Sequence, residues 1–220
     1  MISGKAFADS CKWVIDSRYP GRAVYWQLRA KTGDSIFVNG DLVMNLVNVL
    51  SLSKRKYVFV IHNSDIPFDE VRLNALLPYA IHINAINTII KHPKLTTIPL
   101  GFPDAGVVFL STFVKPEGPR TIEYYMNFSM GTNVDKRAEC YDVFKNDPRV
   151  VIRSNVSRKQ YHEDLCRSKY VLCPEGAGID THRIYEAIYC GATPIVLRNA
   201  LADLYASYPV KIVDSWSEVI

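Results

Sequence analysis

The sequence predicts an α/β chain of two compact parallel-sheet units, and three observations lead there. Short runs rich in Val, Ile, Tyr and Phe alternate with stretches of helical period, the βαβα pattern of a parallel sheet. Residues 102–120, FPDAGVVFLSTFVKPEGPR, collect prolines at 103, 116 and 119 and glycines at 106 and 118, a density of breakers typical of a boundary. Beyond that bridge the alternation restarts. The expected division is therefore 1–115 and 116–220, each part long enough to bury a core.

In the first unit, SIFVNG (35–40) and YVFVIH (57–62) read as buried strands, with a helix over 41–52 capped by Asp41 between them. A helix over 68–79, a short strand AIHINA and a last strand in LTTIPLGFP complete it. The second unit has strands at 121–128, 149–154, 169–174, 192–197 and 209–213, with helices in VDKRAECYDVFKN, SRKQYHEDLCRS and THRIYEAIYC. That is a small doubly wound unit, whose ligands bind outside the carboxyl ends of its strands. Two such units on one linker predict a cleft between them.

Composition narrows the function. In 220 residues, 26 Lys plus Arg face 22 Asp plus Glu, and the basic residues are scattered without aromatic interleaving. A nucleic-acid partner is not expected; small anions such as nucleotide diphosphates suit this balance better. Five cysteines without a CxxC pair argue against a disulfide framework or zinc site and for a reducing compartment. No stretch reads as a signal peptide or membrane span, so a soluble, cytoplasmic protein is expected.

The densest chemistry lies in residues 173–196, CPEGAGIDTHRIYEAIYCGATPIV. A strand ends at Pro174, Glu175 to Asp180 form a turn, and Asp180 or Thr181 caps a helix starting near His182. Gly176 and Gly178 permit positive φ and close backbone approach, so that N–H groups at the helix start can cradle a phosphate. Arg183 offers a guanidinium fork to the same phosphate. Glu186, three residues on, can accept two ribose hydroxyls. An Arg and a Glu at this spacing also occur as a solvated surface pair, and His182 fits either a ligand contact or a structural role.

This run, with DLYASYPVKIVDSWSEV after it, resembles the C-terminal half of exostosin-like glycosyltransferases. YVFVIHNSD (57–65), INAINTIIKHPKL, IPLGFPD and NFSMGTNVDKRAEC (127–140) are similar to blocks of viral and bacterial members, so the resemblance runs from about residue 35 to the end. It implies the GT-B fold, two facing Rossmann-like domains, with the nucleotide sugar on the C-terminal domain and an oligosaccharide or glycoprotein glycan as acceptor. The chain has no Asp-x-Asp triplet, the usual metal-diphosphate signature, so no metal or cofactor is expected and cations stabilise the departing diphosphate. Arg183 is the first choice, helped by Asn133 and Arg137 of TNVDKR and by Arg153 and Ser154 at a strand end. The implied inversion needs a base, for which Asp65 and His62 of the HNSD loop are the candidates, Asp65 ahead. A uridine diphosphate sugar is the expected donor, with xylose, glucuronic acid, galactose and N-acetylglucosamine open. Eukaryotic relatives are commonly anchored in the Golgi, and that lumen is the alternative compartment if an anchor has been removed. Two rivals stay open: a non-catalytic nucleotide- or sugar-binding module, and a phosphoester hydrolase using His62 and Asp65 as metal ligands.

Overall fold

The computed structural model describes residues 1–18, 26–52 and 54–219. It divides into Met1–Asp104 and Ala105–Ile220. The division falls ahead of the expected 115/116 boundary, because part of the breaker-rich bridge folds into a helix.

The first unit runs α1 (Gly4–Ser10), β1 (Trp13–Ile15), α2 (Trp26–Arg29), β2 (Ser35–Asn39), α3 (Val43–Leu50), β3 (Tyr57–His62), α4 (Glu70–Leu76), β4 (Ala80–Ala85) and β5 (Leu95–Thr97). All five strands pair in parallel and in sequential order, β1-β2-β3-β4-β5. Right-handed crossovers that always step the same way put their helices on one face. Accordingly Trp26 of α2, Leu46 and Leu50 of α3, and Leu73 and Leu76 of α4 share one core with Ile36, Val38, Phe59 and Ile61. On the opposite face, Phe37 and Val60 are covered by Ala8 of α1 and Cys11.

Local chemistry explains the element ends. Asp69 caps α4 by accepting from the Arg72 N–H at 2.9 Å. The helix expected from Asp41 is instead preceded by a 3₁₀ turn, Gly40–Leu42, capped by the Asn39 side chain. Asp41 is not the cap, because its carboxylate accepts from Ser64 Oγ at 2.5 Å. The elements α1, β1 and α2 are too short for a periodic signal, and the expectations above contain none of them.

The second unit runs α5 (Asp104–Leu110, starting at the division), β6 (Ile122–Asn127), α6 (Val134–Phe144), β7 (Val150–Arg153), α7 (Arg158–Arg167), β8 (Ser168–Leu172), α8 (His182–Tyr189), β9 (Thr193–Leu197), α9 (Ala202–Tyr205) and β10 (Lys211–Val213). The expected strands and main helices are all present; α5 and α9 are additions. Its five-stranded parallel sheet has the order β10-β9-β8-β6-β7. The strand order reverses between β6 and β8, so crossovers leave in both directions and helices cover both faces. Tyr124 and Met126 pack with Cys140 and Phe144 of α6 and with Trp216. Tyr125 points the other way, its ring 6.3 Å from that of Tyr161 on α7.

Helix α8 ends in a Schellman motif: the Gly191 N–H donates to Ile188 O and the Ala192 N–H to Ala187 O, both at 2.9 Å. Gly191 has φ of 77°, the left-handed conformation that favours glycine there. Among the described residues, no helix is long and apolar enough to cross a membrane.

Candidate functional site

The reversal between β6 and β8 is where a doubly wound sheet leaves a crevice at its carboxyl end. Two arginines converge there on the ring of Phe128, the residue that follows β6. Arg183, on the first turn of α8, donates from Nε to the Asn127 carbonyl at 2.9 Å and lies 5.4 Å from the ring centroid. Its Nη1 is buried and has no hydrogen-bond partner among the described residues. Arg137, on α6, is only 6% exposed and lies 5.6 Å from the same ring. It donates from Nε to the Glu175 carbonyl at 3.1 Å and from Nη1 to the Ser129 carbonyl.

Burial, and then the positive charge of Arg183, lower the Arg137 pKa to about 10, so it stays charged at neutral pH. Among the described residues neither guanidinium has a carboxylate ion-pair partner; both are held by backbone carbonyls. Two adjacent cations, neither of them ion-paired, make a place where an anion is stabilised, although the buried Glu186 carboxylate feels the charge of Arg183. The thiols beneath are inert packing: burial pushes Cys173 up to about 12 and Cys140 higher still.

The turn from Glu175 to Asp180 differs in detail from expectation. Gly176 is not in the left-handed region; a Cβ there would stand 3.0 Å from Arg137 Nη2 and crowd the guanidinium. Its N–H is taken inside the turn by the Gly178 carbonyl at 3.1 Å, and is not offered to a phosphate. Asn133 clamps the turn, donating from Nδ2 to Gly176 O at 2.9 Å. Glu175 accepts from the Asn199 side-chain amide at 3.0 Å.

Asp180 faces the core. It accepts from its neighbour's Thr181 N–H at 2.9 Å, from the Tyr185 hydroxyl at 2.5 Å and from the Tyr205 hydroxyl at 3.2 Å. Burial and the Asp180 charge push both phenols far up, so they remain donors and fix the carboxylate as a structural post. Thr181 occupies the N-cap position without a side-chain cap bond. Glu186 also points inward: Oε2 accepts from the Tyr161 hydroxyl at 3.0 Å, and Oε1 lies 3.7 Å from His162 Nε2. Burial raises its pKa, against the pull of Tyr161 and Arg183.

The structure thus gathers Asn133, Arg137, Glu175, Gly176 and Arg183 and leaves the others aside. Arg153 and Ser154 lie at the end of the edge strand β7. There Arg153, with its side chain 53% exposed, sits 3.9 Å from Asp164 Oδ2. Sequence reasoning gave no role to Phe128 or Asn199. An aromatic directly after a strand, next to the Asn133–Arg137 block, was the available sign for Phe128.

In the first unit the HNSD loop follows β3. His62 is buried, its ring against Phe7 and Phe37 at centroid distances of 5.2 and 6.2 Å. Nδ1 lies 2.8 Å from the Asn63 backbone N–H, and Nε2 lies 3.4 Å from the Pro99 carbonyl. Both ring nitrogens of His62 are thus in contact with protein groups. Asn63 has φ of 60°, and its side chain donates to Asp16 at 3.1 Å. Asp16 also accepts from Arg18 Nη2 at 2.9 Å and from Asn39 at 3.4 Å. Burial raises the Asp16 pKa, but the hydrogen bonds from Arg18 and Asn63 outweigh it and hold the carboxyl below its ordinary value. Asp65 is exposed at the outer end of the loop.

Comparison with known proteins finds a family model that matches within the second unit. The family model described as "RXYLT1 C-terminal domain" matches residues 121–212. The "Probable glucuronosyltransferase GUT1" of Oryza sativa subsp. japonica is 30% identical over 96 residues, 39% of this chain and 23% of that protein. The "Probable beta-1,4-xylosyltransferase IRX10" of Arabidopsis thaliana is 28% identical over 104 residues, 43% of this chain and 25% of that protein. The matched stretches therefore cover only about a quarter of the length of these relatives. Among solved structures, UDP-GlcNAc 2-epimerase from Methanocaldococcus jannaschii aligns with a TM-score of 0.36 and 10% identity, over 84% of this chain and 67% of that one.

Proposed function

We propose that this protein is a metal-independent, inverting glycosyltransferase that moves a sugar from a uridine diphosphate sugar to a hydroxyl of a glycan. The observation that carries this reading is the pair of guanidinium groups on Phe128, with no carboxylate ion-paired to either among the described residues, at the order reversal of a doubly wound sheet. The matched family model and the relatives' names support it.

In this reading the diphosphate lies against Arg137 and Arg183. As the bond between the sugar's C1 and the diphosphate oxygen breaks, negative charge grows on that oxygen. Two fixed, partly desolvated cations stabilise it more than they stabilise the ground state. The acceptor hydroxyl oxygen forms the new bond at C1 from the opposite side and gives its proton to a base, the role for which Asp65 is the candidate. His62 serves to hold that loop. A reducing, cytoplasmic setting suits five cysteines, an odd number without a CxxC pair.

The reading is tested by isothermal titration with uridine diphosphate and by a transfer assay. Arg183→Ala is expected to lower uridine diphosphate affinity about 100-fold, the worth of a lost charge-assisted fork. Asp65→Asn is expected to keep that affinity while slowing transfer at least about 100-fold. Undiminished binding by Arg183→Ala would sink the anion site, and full transfer by Asp65→Asn would remove Asp65 as the base.

A further inference from the structure

A cavity of about 260 Å³ opens at the carboxyl ends of β8 and β9, beside α6. Leu197, Ile184 and Trp216 give it apolar walls. Trp216 is 1% exposed and its indole N–H has no hydrogen-bond partner among the described residues. Five charged side chains line the same cavity: the carboxylates of Glu139, Glu175 and Asp214 against the cations Lys136 and Arg198. One cation is already matched, since Arg198 Nε donates to Asp214 at 2.5 Å.

Glu175 joins this cavity to the guanidinium pair. Its carbonyl accepts from Arg137, while its carboxylate lines the cavity and accepts from Asn199 through Oε1 alone. The second carboxylate oxygen keeps its lone pairs for a donor from outside.

We propose that this cavity holds the glycosyl group of the donor, and that this group is a neutral pentose or hexose rather than a uronate. The inference rests on the reading that the diphosphate lies on Arg137 and Arg183. Sugar hydroxyls are hydrogen-bond donors that suit a wall of carboxylates and an amide. A uronate would bring a fourth carboxylate beside those of Glu139, Glu175 and Asp214, which already exceed the lining cations by one, and nearby like charges disfavour the ionised form. A nucleobase suits it less, because the aromatic residues on its wall, Trp216 and Tyr205, are each 1% exposed and offer no open face for stacking.

The test compares uridine diphosphate, its xylose and glucose conjugates, and its glucuronate conjugate by titration on the full chain. The neutral conjugates are expected to bind roughly tenfold tighter than uridine diphosphate alone, and the glucuronate conjugate no tighter than it. Asp214→Asn, at an exposed position outside the diphosphate site, removes one negative charge and frees Arg198. It is expected to raise glucuronate-conjugate affinity at least about threefold while leaving uridine diphosphate unchanged. Equal affinity for all four compounds, a preference for glucuronate, or no response in Asp214→Asn would each overturn the proposal while leaving the diphosphate site standing. Failure of uridine diphosphate itself to bind would overturn both.

Discussion

Each unit carries a polar cluster at the carboxyl ends of its central strands, and the two clusters are built on opposite electrical principles. In the first unit, the buried Asp16 gathers Arg18, Asn39 and Asn63 around one carboxylate. Its charge is compensated, and the loop after β3 is locked by it. In the second unit, Arg137 and Arg183 flank one aromatic ring and donate to backbone carbonyls, with no ion-paired carboxylate among the described residues. A matched buried charge stabilises a conformation, whereas two unmatched ones raise the energy of the empty site and lower that of a site holding an anion. Topology differs in the same sense. The first sheet is sequential and has no reversal, while the second reverses between β6 and β8, where the arginines stand.

The hardest test of this contrast is to remove the compensated charge. Asp16→Ala strips the acceptor from three side chains and is expected to cost about 3 kcal/mol of stability, read as a lower melting temperature, with uridine diphosphate affinity unchanged. A loss of affinity at unchanged stability would reverse the assignment of the two clusters.

Arg137→Lys keeps the second cluster's charge but not its fork. It is expected to weaken uridine diphosphate binding about tenfold and to cost only about 1 kcal/mol of stability. A large loss of stability without a change in binding would make Arg137 a structural residue like Asp16.

The smallest expected effect is acid sensitivity. The Asp16 pKa lies below its unfolded value near 3.8, so its contribution is present above that pH and is lost as pH falls through the folded pKa. Melting temperature followed from pH 5 downwards should therefore decline less in Asp16→Asn than in the native protein. Parallel declines in the two proteins would show that Asp16 has no such role.

Much of the fold is legible in the sequence, because strands such as Tyr57–His62 and Thr193–Leu197 and helices such as Val134–Phe144 are set by local period, cap and turn chemistry. Elements of three or four residues, such as Trp13–Ile15 and Ala202–Tyr205, are too short to show a period. The candidate site was half legible. Arg137, Arg183, Asn133 and the Glu175–Gly176 turn come together as their motif suggested, while Asp180, Glu186 and His62, equally prominent as residue types, turn inward.

By itself, then, the sequence determined the alternation of strands and helices, the two-unit division to within the bridge, and the supply of arginines and carboxylates near strand ends. Only the tertiary structure decided which of those charges are compensated. Partners such as Asp16 and Asn63, Arg137 and Glu175, or Arg183 and Asn127 lie 47, 38 and 56 positions apart in the chain. Helix and strand formation depends on neighbours within a turn or two. Charge compensation depends on which distant strand ends the sheet order brings together, and no local pattern records that.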